Sequence, residues 1–171
     1  SIDELQLLTI GPQLRGSANN ILGQKATKQV FDLIRTLVRP YLYSESGKKL
    51  LLQNESSREV EIKFASDPDI VIVEKLTSSN RNLISIEIKG GRDISNIHNR
   101  MGEAEKSHQK AKQLGFFEFM TILSVPFDYH VLQQESPTTS HFFNLDQLMN
   151  PNSKEYVEFS EKLASIIGIK I

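Results

Sequence analysis

"ISIEIKGG", residues 84–91, alternates apolar and polar side chains until two glycines stop it. Successive side chains of a strand point to opposite faces, so Ile84, Ile86 and Ile88 share one side and Ser85, Glu87 and Lys89 share the other. The three isoleucines fix the buried side. A carboxylate and an ammonium on the opposite face are costly to bury unless they pair with each other or bind something. The stretch therefore predicts a strand that ends in a charged site.

Upstream, "SDPDIVIVEKL" (66–76) contains a run of β-branched residues with apolar side chains on both faces, as a strand inside a sheet requires. The polar "TSSNRN" (77–82) between the two segments predicts a turn, which makes the strands neighbours and brings Asp69 beside Glu87. Two carboxylates and a lysine then converge. Hard oxygen ligands hold Mg²⁺ through one or two carboxylates and leave positions for water and phosphate. An ammonium beside the ion orients or deprotonates water, so the set suits phosphodiester hydrolysis. The plainer reading is an exposed Glu87–Lys89 pair on an edge strand, with Asp69 in a turn after Pro68.

The rest of the chain supplies an α/β frame. Apolar residues at Ile21, Leu22, Val30, Phe31, Ile34, Leu37 and Val38 predict a helix over 18–38, ending before Pro40. "KKLLLQ" (48–53) and "EVEIKF" (59–64), separated by "NESS", predict a hairpin. Ile97, Met101, Ala104, Ala111 and Leu114 mark one helix stripe that Gly115 ends. "FFEFMTILSV" (116–125) is a further buried strand, "LQQESPTTS" (132–140) reads as a loop, and Ser153 caps a last helix running to Gly168. The expected architecture is a central mixed β-sheet flanked by helices, in a single domain over 1–171 with a core at about 18–125 and a C-terminal helical extension at about 144–168.

Composition sets the broad class. The 171 residues are 39% hydrophobic and 24% charged, and no run approaches the roughly 18 apolar residues of a membrane span. Without cysteine there is neither a disulfide framework nor a thiolate metal site. No leader of the secretory kind is evident, so the cytoplasm is the expected compartment; the chain opens on Ser1, compatible with a piece of a longer protein. The net charge of -1 hides two basic segments, with seven basic residues against two acidic ones over 15–49 and six against three over 89–112. Such segments steer polyanions, although solvated helix faces account for them equally well.

Pro68–Asp69, a buried strand, a turn, a second strand ending in Glu87–Ile88–Lys89 and a following helix together resemble the PD-(D/E)XK nuclease superfamily, with its restriction-endonuclease-like core. The segment "EIKGGRDISNIHNRMGEAEKSHQKAK" (87–112) further resembles type II restriction endonucleases of the XcyI kind. The resemblance implies that Asp69, Glu87 and the carbonyl of Ile88 are metal ligands and that Lys89 positions or activates the attacking water. It also implies Mg²⁺ as cofactor, no organic cofactor, double-stranded DNA as substrate and a homodimer as the working unit. Two other readings stay open: a non-catalytic DNA-binding or assembly domain, and a repair or junction-resolving nuclease of the same fold.

Around this core, Gly90 and Gly91 leave room either for a phosphate or for a simple turn. Arg92, Asn96 and Arg100 cluster where the next helix begins, a place that favours anions, and are read as DNA contacts. Lys25 in the first helix is read likewise, with Gln24 beside it. His108 falls on the apolar stripe; it is either a satisfied core residue or a contact to phosphate. Glu105 and Lys112 are read as helix surface.

Overall fold

The structure is a computed structural model that describes the backbone of residues 2–171 and the side chains of residue 18 and residues 20–171. Helix α1 (Ile2–Val38) leads into seven strands, β1 (Leu42–Glu45), β2 (Lys49–Gln53), β3 (Glu59–Phe64), β4 (Ile70–Lys75), β5 (Asn80–Lys89), β6 (Glu118–Leu123) and β7 (His141–Asn144). Helix α2 (Ile97–Gln113) connects β5 to β6, α3 (Tyr129–Glu135) connects β6 to β7, and α4 (Leu145–Leu148) and α5 (Lys154–Ile167) follow. The strands form one mixed sheet in chain order, antiparallel from β1 to β5 and parallel from β5 to β7. The change of direction at β5 has a simple cause. Antiparallel neighbours need only a turn, whereas the parallel β5–β6 pair needs a crossover, which α2 supplies across one face of the sheet.

The alternation read in residues 84–89 divides the two faces as expected. Ile84, Ile86 and Ile88 join Ile70 and Ile72 of β4 in the main apolar cluster, covered by Ala26, Val30, Phe31, Ile34 and Val38 of α1. The fourfold steps from Ala26 to Val38 put those α1 side chains on one stripe. Phe31 stacks on Phe64 at 4.3 Å between ring centres. Ile21, placed on the same stripe by spacing, is instead 63% exposed. On the other face, Met101, Ala104, Ser107, His108 and Ala111 form the buried side of α2. This helix therefore brings two polar side chains to the face on which β5 carries Ser85 and Glu87.

Some expectations need correcting. Residues 132–135, read as loop, belong to α3, whose Asp128 side chain caps the helix by accepting from the His130 N–H. β1 and β7 have four residues each and are added by pairing with neighbours rather than by a pattern of their own. The last helix, read as an extension beyond residues 18–125, packs on the sheet, with Phe159, Leu163, Ala164 and Ile167 in the main cluster. Its ends are as expected: Ser153 accepts from the Tyr156 N–H, and Gly168 adopts φ +79° beyond the last turn. Among the described residues no helix is long and apolar enough to cross a membrane.

Of the two glycines after Lys89, Gly90 serves the packing of the protein itself, whereas Gly91 faces only the movable end of Arg100. A Cβ at Gly90 would lie 2.6 Å from the Ala26 Cβ and 2.7 Å from the Leu22 carbonyl oxygen, so Gly90 is where α1 crosses the end of β5. A Cβ at Gly91 would collide with the Arg100 guanidinium. Overpacking a tight contact typically costs about 1–3 kcal/mol. Gly90→Ala is therefore expected to lower the unfolding free energy by about that amount, read as a drop of several degrees in the thermal midpoint; an unchanged midpoint would contradict this packing.

Candidate active site

The β4–β5 register pairs Ile70 with Ile86, and continuing it by one residue sets Asp69 opposite Glu87. The Ile88 N–H donates to Asp69 Oδ2 at 2.7 Å, which holds the Asp69 carboxylate against the last turn of the β5 backbone. Glu87 is 6% exposed, and each of its oxygens has a donor. Lys89 Nζ lies 2.8 Å from Oε1, and Ser107 of α2 donates its hydroxyl to Oε2 at 2.9 Å. Lys89 also reaches Glu103 Oε2 at 3.3 Å. Asp67 pairs with Lys110 at 2.6 Å. The structure thus brings together the three residues singled out from the two strands.

The electrostatics are uneven across this group. Burial pushes the Asp69 carboxyl up, and the neighbouring Glu87 charge adds to the rise, to about 6. Its ladder-like bond from Ile88 and the Lys89 charge only partly offset this. Burial pulls Lys89 down, yet Glu87, Glu103 and Asp69 outweigh that and raise it overall, so the ammonium holds its proton. Asp69 makes no ion pair among the described residues. No group of three or more His, Cys, Asp or Glu side chains among them is arranged to hold a metal ion. The oxygen donors at hand are the two carboxylates and the backbone.

Two clefts open on this group. One of about 660 Å³ is lined by Asp69 and Ile88, by Gln24, Thr27 and Lys28 of α1, and by Lys48 of the β1–β2 turn. The other, about 350 Å³, is lined by Ile88, Lys89, Asn96, Arg100 and Glu103. Asn96 and Arg100 therefore border the site, although Arg100 also donates to the Gly91 carbonyl oxygen at 2.6 Å. Arg92 lies outside both clefts, 64% exposed and 3.6 Å from Asp146. Lys25 is exposed but lines neither cleft, whereas Gln24 and Lys28 line the larger one.

His108 is the main correction. Its side chain is wholly buried, with Nδ1 3.0 Å from Ser85 Oγ and Nε2 2.9 Å from Thr121 Oγ1. Thr121 continues to Thr139 and Ser136, and Ser136 reaches Glu105, so a chain of hydrogen bonds ties β5, α2, β6 and the approach to β7 together. A ring with both nitrogens occupied inside the protein offers nothing to a phosphate. Glu105, read as helix surface, accepts from the Thr138 hydroxyl at 2.6 Å and ends this chain. Ser107 and Glu103 were not singled out by spacing, although Ser107 lies three residues beyond Ala104 on the buried stripe, where a polar residue signals a buried partner.

Two stability measurements follow from these environments. The folded-state pKa of Asp69, about 6, exceeds the ordinary 3.8, so the native state takes up the proton first and its charge weakens the fold as pH rises through that window. Asp69→Asn, measured with chelator present, is expected to stabilise the chain by about 2 kcal/mol at pH 8 and by little at pH 4. His108 behaves in the opposite sense. Burial lowers it from 6.5 to about 4, so falling pH protonates the unfolded chain first and removes stability between those values. The stability gap between wild type and His108→Gln is expected to narrow by up to about 3 kcal/mol from pH 7 to pH 4; a constant gap would contradict the buried neutral ring.

With this geometry in place, likeness to known proteins becomes informative. The family model described as XcyI restriction endonuclease matches residues 1–170. The chain is 44% identical over 170 residues to the type II restriction enzyme XcyI of Xanthomonas campestris pv. cyanopsidis, a match covering 98% of this chain and 51% of that protein. It is 41% identical over 170 residues to the type II restriction enzyme Cfr9I of Citrobacter freundii, covering 98% and 52% respectively. The chain thus spans about half the length of these curated relatives. No solved structure matches it. The match along nearly the whole chain, on a mixed sheet whose β4 and β5 carry the Asp69 and Glu87–Ile88–Lys89 group, means that this chain belongs to the XcyI restriction endonuclease family.

Proposed function

We propose that this chain carries the catalytic site of a site-specific restriction endonuclease that cleaves double-stranded DNA with Mg²⁺ as its cofactor. The observation that carries the reading is a half-buried carboxylate, Asp69, beside a buried one, Glu87, with a lysine next to them and a cleft open to solvent. An acid in such a place favours a cation. Asp69, Glu87 and the carbonyl of Ile88 are the residues that would hold it, and oxygen donors of this kind, few in number, suit Mg²⁺, which keeps part of its water shell. When bound, a divalent ion supplies charge stabilisation at a phosphate and lowers the pKa of water.

The chain's own residues do the rest. The Ile88 N–H fixes Asp69, and Ser107 fixes Glu87, so both carboxylates are oriented before any ligand arrives. Lys89 stays charged and presents an ammonium to a phosphate oxygen or to the attacking water, orienting rather than deprotonating it. Arg100 and Asn96 border the same cleft and are proposed as DNA contacts, with Arg92 and Lys25 contacting the backbone further out. Cutting both strands of a twofold-symmetric sequence suits a homodimer, which we propose as the working unit.

The assay is plasmid DNA with Mg²⁺, resolved as discrete fragments. Wild type is expected to give a reproducible fragment pattern that chelator abolishes. Asp69→Asn, Glu87→Gln and Lys89→Ala are each expected to reduce the rate at least about a hundredfold while the chain stays folded. Cleavage by wild type that survives the loss of Asp69 would contradict the assigned site, and no cleavage with any divalent metal would favour the non-catalytic reading.

A further inference from the structure

We propose that one strand of the DNA crosses α1 at Gly23 on its way to Asp69 and Lys89, and that glycine occupies this position to admit the sugar-phosphate backbone. The inference rests on the nuclease reading above and assigns the path of its substrate. Both clefts are lined by Asn20, Gly23 and Ile88, so they meet along this part of α1. One side opens at Asp69 and the other at Lys89. Lys28 and Lys48 border the first beside Asp69, and Lys89 and Arg100 the second beside Glu103, so cations stand on both sides of the crossing and outnumber the acids there. A polyanion fits such a path.

Gly23 lies at the α1–β5 crossing, its Cα 3.1 Å from where a Cβ at Gly90 would stand, but nothing among the described residues requires a glycine at position 23 itself. Glycine is the poorest helix former after proline, and position 23 is inside the 37-residue α1 with no left-handed φ to require it. At Gly90, on the other side of the α1–β5 crossing, a Cβ would strike Ala26 and Leu22, so that glycine is demanded by packing. At Gly23 a Cβ would meet no atom of the described residues within 4 Å. The space a Cβ would take is open, and both clefts reach this residue. Gly102 of α2 is equally open but borders neither cleft, whereas Gly23 borders both, and a ligand that comes close to the backbone there accounts for the glycine. The Gly23 carbonyl is already engaged by the Thr27 hydroxyl at 3.0 Å, so the ligand gains space at this point rather than an extra acceptor.

The test uses the full chain with Gly23→Ala and Gly23→Leu. Thermal midpoints, binding of a fluorescently labelled duplex without metal, and plasmid cleavage with Mg²⁺ are measured in parallel. Both variants are expected to melt at or above the wild-type midpoint, because alanine and leucine favour the helix. Duplex affinity is expected to fall with side-chain size, by about tenfold or more for leucine. Wild-type affinity and cleavage in Gly23→Leu would overturn the inference alone. A lowered midpoint in Gly23→Ala would also overturn it, by showing that the glycine serves the fold. A wild type that neither binds nor cleaves duplex DNA would overturn the nuclease reading and this inference with it.

Discussion

The register between β4 and β5 is the constraint on which the site depends. Pairing Ile70 with Ile86 buries the isoleucines of both strands under α1, and a slip of one residue would turn them out to the other face. The same register leaves Asp69 opposite Glu87. Apolar burial, which is strong and non-directional, thus forces two like charges together, and no local preference of either acid needs to favour the arrangement. Burial first and the Glu87 charge second raise the Asp69 carboxyl, and the arrangement is tolerable because Ile88, Ser107 and Lys89 each contribute a donor to one of the two acids.

The polar face of β5 shapes α2 in turn. A helix lying over Ser85 and Glu87 must answer them, and it does so with His108 and Ser107 on its otherwise apolar buried side. His108 then extends the chain of hydrogen bonds through Thr121 to Thr139 just before β7, so the depth of that face is satisfied while its end opens at Lys89. The opposite face is closed by α1, brought close by Gly90. One face anchors the strand and the other presents its charges.

Much of this was legible in the sequence because the relevant signals are local. Alternation over residues 84–89 gives the faces of β5, the β-branched run gives β4, and Ser153 and Gly168 mark both ends of α5. The remainder depends on partners that spacing does not name. β1 and β7 are too short to carry a pattern and exist by pairing with β2 and β6. The glycines after Lys89 signalled close approach, but only the three-dimensional crossing shows that α1 and Arg100 are what approach them. His108 looked ambiguous on its stripe, and only the hydroxyls of Ser85 and Thr121 decide that it is a core residue. For the same reason spacing alone does not single out Ser107, whose role is set by its bond to Glu87.

We propose that the two carboxylates set together by the β4–β5 register share one divalent cation. Anomalous diffraction from crystals of the chain grown with Mn²⁺ in place of Mg²⁺ tests it most directly. A single strong peak is expected at coordination distance, about 2.1 Å, from an oxygen of both Asp69 and Glu87, with Lys89 beside it. A peak bound elsewhere, or none at these two residues in a crystal saturated with the ion, would contradict it.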